Sequence, residues 1–161
     1  MADLTEQQKT EYFYRGFAAV DGLWFMKVEE QFGFDKALEI DNEVWKVLPK
    51  IQARKMKDLK KVGNGLDALR GCFSERMRLE GMAFKIEKNE KDKTFRLIID
   101  NCSWHEVMKK SGRQHLAAMI GSTICPSDYG TWASEFGCKF NLDEKDRICC
   151  GSKLCVLHFS E

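Results

Sequence analysis

Phe84-Lys85-Ile86-Glu87 and Phe95-Arg96-Leu97-Ile98-Ile99-Asp100 are the two stretches of sequence that decide the fold. In both, apolar residues alternate with their neighbours along the chain, and a period of two is typical of a half-buried strand. Asn89-Glu90-Lys91-Asp92, a turn-forming stretch, lies between them. The sequence therefore predicts a β-hairpin with one face on the core.

On the N-terminal side of this hairpin, apolar residues recur every three or four positions, which is typical of amphipathic helices. The first predicted helix runs from Thr5 to about Gln31 and begins with a capping box of Thr5 and Gln8. A second runs from Lys36 towards Lys61, where Pro49 predicts a kink or a break. A third runs from Leu66 to about Leu79. The buried stripe of the first helix is predicted to be Phe13, Phe17, Val20, Trp24 and Val28.

On the C-terminal side, the pattern returns to short helices and then to strands. Ser103 and Glu106 predict a capping box that opens a helix through Lys109, and another helix begins near Gln114. Pro126 is typical of a first helical residue, so a further helix is predicted from Pro126 to Gly137. Residues 139–142 and 154–159 are predicted to be strands.

This order of elements predicts an α+β fold, in which N-terminal helices pack on a C-terminal antiparallel sheet. The helical part covers about residues 5–80, and the sheet-containing part covers about residues 82–160. A chain of 161 residues fits one domain, so a single domain over residues 1–161 is expected. Its hydrophobic fraction of 43% is enough for an ordinary core.

Charge and hydropathy limit the partners. The 26 basic and 25 acidic residues leave a net charge of +1, which argues against nucleic acid and anionic membrane surfaces. The apolar stretch from Phe17 to Met26 is interrupted by Asp21 and is too short to cross a bilayer. The polar, acidic N-terminal residues do not resemble a signal peptide, so a cytoplasmic protein is expected. The oligomeric state stays open, a homo-oligomer included.

Seven cysteines are the most informative feature. Their odd number, without an export signal, fits a disulfide framework poorly, so these thiols fill the core, bind a metal or react. Cys149, Cys150 and Cys155 lie together around Gly151, just before the last predicted strand. The sequence does not decide between Cys149 and Cys150.

Two further cysteines occupy predicted helix starts. Cys125 precedes Pro126 and Cys102 precedes Ser103, where the helix dipole and free amides favour a thiolate. His105 follows one turn after Cys102, and thiolate with imidazole suits zinc or iron. The alternative is that the cysteines are small buried apolar residues.

Asp21 is the second notable feature, because its neighbours from Ala18 to Met26 are all apolar except Gly22. A buried carboxylate needs a partner or a shifted pKa, and such groups cluster at functional sites. The alternative is a solvent-exposed position on a helix whose other faces are apolar.

Two stretches resemble known families. Residues 19–25 and 44–52, which include Ala19-Val20-Asp21-Gly22-Leu23-Trp24-Phe25, resemble an uncharacterised family of small bacterial and archaeal cytosolic proteins. Residues 124–129 and 151–159, with Ile124-Cys125-Pro126 and Gly151-Ser152-Lys153-Leu154-Cys155, resemble the endings of 2-aminothiazoline carboxylate hydrolase-like proteins and 4-vinyl-reductase-like domains. The second resemblance implies a sensor-like α+β fold that binds small molecules, with cysteines that hold zinc in some members.

The leading hypothesis is therefore a small-molecule-binding domain with a cysteine-ligated metal, zinc rather than iron. Asp21 and Trp24 would line the adjacent ligand pocket, and the metal ligands would be Cys102, Cys125, Cys150 and Cys155. The alternative is a hydrolase that cleaves a C–N bond in a small amidine-like or sulfur-containing ring. In that enzyme Cys125 would be the nucleophile, and Asp21 or His105 would move protons. A purely structural or partner-binding domain is the third possibility.

Overall fold

The computed structural model describes residues 3–161. The chain divides into two compact units, residues 1–41 and 42–161, and each is described by itself. That the whole chain acts as one domain stays a prediction.

The first unit consists of two consecutive helices, α1 (Glu6–Phe32) and α2 (Phe34–Trp45), and α2 continues into the second unit. The predicted capping box is confirmed, since Gln8 N donates to Thr5 Oγ at 3.2 Å and Thr5 N donates to Gln8 Oε1 at 2.9 Å. Gly33 separates the helices with a φ of 84°, which favours glycine.

The buried side of α1 differs from the prediction. Phe13, Val20 and Trp24 are exposed, whereas Ala18 and Phe25 are buried. The ring of Phe25 packs edge-on against that of Phe34, across the turn between the two helices. Large apolar residues occur on nearly every face of α1. Their spacing therefore predicted an apolar stripe but did not identify which face of the helix is buried.

The second unit begins with the end of α2, followed by α3 (Leu48–Lys60) and α4 (Leu66–Leu79). The predicted break at Pro49 is confirmed, because α2 ends at Trp45 and Pro49 occupies the first turn of α3. Proline lacks the backbone N–H that donates to the preceding turn in a helix interior. In the first turn no such hydrogen bond is made, so proline is tolerated there.

A four-stranded antiparallel sheet forms one side of this unit. Its strands are β1 (Ala83–Asn89), β2 (Thr94–Asn101), β3 (Lys139–Leu142) and β4 (Cys155–Ser160), in the order β1-β2-β4-β3. The predicted hairpin is confirmed as β1 and β2, with Ile86 opposite Leu97 and a bulge between Ala83 and Phe84. The buried residues of β2 and β4 include Phe95, Leu97, Ile99, Leu157 and Phe159.

The helices between β2 and β3 correct two predictions. The N-cap of α5 (Ser103–Lys110) is Cys102 rather than Ser103. Pro126 does not open a helix but lies inside α6 (Ala117–Glu135), which follows a short 3₁₀ turn, Gln114–Leu116. Ile124 and Tyr129, on either side of Pro126, are buried, and this packing keeps both halves helical despite one lost donor.

The core of this unit lies where α4 and α6 meet the sheet. Phe73 of α4 contacts the rings of Tyr129 and Trp132 on α6 and of Phe159 on β4. Helices precede and flank an antiparallel sheet, so the predicted α+β class is confirmed.

Candidate functional site

Four cysteines from four separate elements form what we call the thiol cluster. Cys102 caps α5, Cys125 lies in the middle of α6, and Cys155 is the first residue of β4. Cys149 lies in a short 3₁₀ turn, Ile148–Cys150, that precedes β4. The cluster thus joins parts of the chain that are far apart in sequence.

Each of the four thiols interacts electrostatically with the other three. Cys102, Cys149 and Cys155 all raise the pKa of Cys125. Cys102 interacts in the same way with Cys149 and with Cys155, and Cys149 interacts with Cys155. Since such effects decline with distance, the four side chains lie in one neighbourhood, although in the described residues no three of them are arranged as metal ligands.

A glycine allows Cys149 to approach α6. A Cβ atom placed on Gly121 would lie 2.8 Å from Cys149 Sγ, which is closer than real contacts allow. Arg147 lies beside it, with Nη2 donating to Cys149 Sγ at 3.6 Å. Any side chain at position 121 would therefore force the side chain of Cys149 to shift.

The turn before β4 orients Cys155 and separates the two adjacent cysteines. Ile148 N donates to Cys155 Sγ at 3.0 Å, and Gly151 closes the turn with a φ of 97°. Cys149 is half-buried, whereas Cys150 is exposed, with 3.9 Å between their sulfur atoms. Cys150 raises the pKa of Cys149 and Cys155 and adjoins the thiol cluster, whereas Cys149 also interacts with Cys102 and Cys125.

Burial keeps the clustered thiols protonated. It raises the pKa of Cys102, Cys125 and Cys155, and it raises that of Cys149 to about 11. For Cys102 the backbone amides of His105 and Trp104 act in the opposite direction but are outweighed. The expectation that a helix terminus lowers the pKa of Cys125 is wrong, because this residue lies eight positions inside α6.

A buried charged triad, which the sequence did not reveal, adjoins the thiol cluster. Arg76 Nη1 and Nη2 donate to Asp128 Oδ1 and Oδ2 at 2.6 and 2.7 Å, and Arg76 Nε donates to Glu80 Oε1 at 2.7 Å. Burial raises the pKa of Asp128 to about 6, even though Arg76 opposes this shift. Burial alone would lower the pKa of Arg76, but Asp128 and Glu80 more than offset it.

The triad places negative charge beside Cys102 and Cys125, while Arg147 places positive charge beside Cys149. One guanidinium faces two carboxylates, so the formal charge is −1 when both are ionised. Asp128 raises the pKa of Cys125, and Glu80 raises that of Cys102. In the described part of the chain, Glu80 Oε2 is buried and has no hydrogen-bond partner. The triad therefore disfavours thiolates at Cys102 and Cys125, whereas Arg147 acts in the opposite direction and lowers the pKa of Cys149 and Cys155.

The remaining predicted site residues lie elsewhere in the chain. His105 is half-buried in the first turn of α5. Asp21 is half-buried and Trp24 is exposed, and both belong to the first unit. The pocket predicted from these two residues stays a prediction.

Two features of the described residues bear on the predicted classes of function. Within residues 3–161, no three or more His, Cys, Asp or Glu side chains are arranged as a metal-ligand set. No helix in the same range is long and apolar enough to cross a membrane.

A family model matches residues 8–146, and the family is described as one of unknown function (DUF6125). The chain belongs to this family. The match confirms the prediction of an uncharacterised family, and it includes Cys102 and Cys125 but ends before Cys149 and Cys155. A search of curated proteins found no match.

Proposed function

We propose that the protein binds a zinc ion through the four cysteines of the thiol cluster. The proposal rests on the proximity of these cysteines: they come from α5, α6, the 3₁₀ turn and β4, affect one another's pKa, and Cys149 packs against Gly121 of α6. Cysteines that only fill the core have no reason to lie close to one another. Cys72 and Cys138, which are buried outside the thiol cluster, are examples of such residues.

The chemistry of the donor set supports zinc ahead of iron. Four thiolates suit a tetrahedral zinc ion with Zn–S bonds of about 2.3 Å, and iron is the other metal held by four cysteines. Cys149 takes the place of Cys150 in the predicted ligand set because Cys150 is exposed. Since the thiols are not in ligand geometry without the ion, they would close on it and release protons.

The guanidinium of Arg147, which lies beside Cys149, supports the loaded site. Four thiolates and one zinc ion carry a net charge of −2, which Arg147 would partly offset and the negative triad would oppose. A zinc ion with four thiolate ligands has no open position for water, so its role would be to hold α5, α6 and β4 together. The resemblance to 4-vinyl-reductase-like domains and the expected reducing cytoplasm are consistent with this role and form part of the proposal.

A small-molecule ligand is the second part of the proposal. A groove of about 860 Å³ lies on the outer face of the sheet. Glu87, Arg96, His158 and Asn141 stand in one register across its four strands and line this groove. Their donors and acceptors suit a polar molecule rather than an apolar one.

The alternative of a cysteine-dependent C–N hydrolase has less support. A nucleophilic thiol requires a depressed pKa or an adjacent base, whereas burial raises the pKa of Cys125. Uniformly slow alkylation of the cysteines at neutral pH would agree with a metal-binding rather than a nucleophilic role.

The test is the elemental metal content of protein purified without oxygen and without a nickel column. We expect about one zinc ion per chain, as four thiolate ligands complete one tetrahedral site. Cys149→Ser and Cys150→Ser form a matched pair of neighbouring substitutions. The first should remove most of the zinc, and the second should leave it in place.

Circular dichroism of both variants would show whether the fold is kept. Wild-type protein that stays metal-free after anaerobic incubation with zinc would overturn the proposal. A Cys150→Ser variant that loses zinc while Cys149→Ser retains it would overturn the assignment of the ligands.

A further inference from the structure

The outer face of α1 exposes an unusual amount of apolar surface. Tyr12, Phe13, Val20, Leu23 and Trp24 are 70%, 72%, 68%, 58% and 63% exposed. Residues 13, 16, 17, 20, 23 and 24 recur at spacings of three and four, so they share one side of the helix. We call this side, together with Tyr12, the α1 face.

The area of this face approaches what a stable protein interface needs. A fully buried aromatic side chain removes about 150–250 Å² from water, and Tyr12, Phe13 and Trp24 are each about two-thirds exposed, so together they offer roughly 300–500 Å². The largest apolar patch on a typical monomer covers about 300–600 Å². Val20 and Leu23 extend the area towards the roughly 800 Å² per partner of a standard interface.

A notch lies in the N-terminal half of the α1 face, at Gly16. It has a volume of about 420 Å³ and is lined by Tyr12, Phe13, Arg15, Gly16 and Phe17. A Cβ atom on Gly16 would meet nothing within 4 Å, so the described chain does not require glycine here. Glycine inside a helix is less stable than alanine by about 1 kcal/mol. An incoming side chain from a partner would account for the space.

We propose that two copies of this chain pair through their α1 faces, antiparallel and related by a two-fold axis near Val20. In this arrangement each residue faces the one equally far from Val20 on the other copy. Trp24 then lies opposite Gly16, and Leu23 lies opposite Phe17. The largest side chain of the face, that of Trp24, then meets its smallest residue, Gly16, as a self-complementary interface requires.

The ends of the pair also match. Lys27 of one copy lies opposite Phe13 of the other, where an ammonium group over an aromatic ring is favourable. A parallel pair in register would instead place Trp24 against Trp24 and Gly16 against Gly16, which leaves both notches empty. The antiparallel arrangement is therefore the one that fills them.

Sedimentation velocity of the full chain at increasing concentration tests the proposal. We expect a dimer for the wild type. Trp24→Glu should weaken dimerisation at least about 30-fold, since a central tryptophan is the typical energetic anchor of an interface. Leu59→Glu is the matched control, because Leu59 is 65% exposed on α3, outside the α1 face, and its substitution should leave the dimer unchanged.

Gly16→Leu separates the interface from the stability of the helix. Leucine raises helix propensity, so α1 should become more stable, yet its side chain fills the notch and should weaken dimerisation by about tenfold or more. A wild-type chain that stays monomeric up to about 100 μM would overturn the proposal. A dimer that survives both Trp24→Glu and Gly16→Leu would overturn it as well.

Discussion

At Gly121 the thiol of Cys149 occupies the space in which a side chain would begin. Gly130, nine residues later on the same helix, has open space at the corresponding position, with nothing within 4 Å of a Cβ atom. The same substitution, glycine to alanine, can therefore be compared at a crowded and an open position of one helix.

Gly121→Ala should lower the free energy of unfolding by about 1–3 kcal/mol, because the added methyl group collides with Cys149. It should also reduce the zinc retained after dialysis. Gly130→Ala should be neutral or stabilise the chain by about 0.5–1 kcal/mol, since alanine favours a helix. Urea unfolding measures both, and equal effects of the two substitutions would contradict the packing described for Gly121.

Asp128 should make stability depend on pH in the direction opposite to an ordinary ion-paired carboxylate. Its pKa is raised from 3.8 to about 6, so the folded chain holds a proton that the unfolded chain releases between these values. Stability from this group therefore grows as the pH falls, by about 1 kcal/mol from pH 7 to pH 5.

The measurement is urea unfolding of wild type and Asp128→Asn between pH 5 and pH 7. Asparagine does not ionise but still accepts from Arg76, so the wild type should gain stability relative to the variant as the pH falls. A difference that shrinks towards acidic pH would show that ion pairing with Arg76, and not burial, dominates.

At the scale of elements, alternation and turn residues were enough to place the hairpin of β1 and β2. Local signals also placed the capping box of α1 and the break before α3. In α6 the local signal misled, because Pro126 is favourable at a helix start but is also tolerated where packing holds both halves of a helix. Tertiary contacts decided between these outcomes, and sequence periodicity does not contain them.

The candidate site, like the fold, was predictable only in part from the sequence. The sequence singled out Cys102, Cys125 and Cys155, but it did not separate Cys149 from Cys150, because their orientations depend on one turn before β4. It also missed the pair of Arg76 and Asp128, which lie 52 residues apart.

For the whole molecule, zinc binding should change the net charge. The chain has a formal charge of +1 with its cysteines protonated and a pI near 7.6. Four thiolates add −4 and zinc adds +2, so loading the thiol cluster would change the charge by −2, to −1. On native isoelectric focusing the zinc-loaded form should therefore run at a more acidic position than the metal-free form.

A chelator should reverse this change, and Cys149→Ser protein should not show it. A shift to a more basic position on adding zinc would instead indicate that the metal binds without displacing thiol protons.

The two edges of the sheet have a consequence for how copies of the chain meet at high concentration. An unpaired strand edge is a template for the growth of aggregates, unless it is short, charged or irregular. β3 has only four residues and begins with Lys139, while β1 carries Lys85 and Lys88 and a bulge near its start. Open-ended addition of strands is thus disfavoured at both edges. Copies of the chain are therefore expected to associate through surfaces that form closed, finite assemblies.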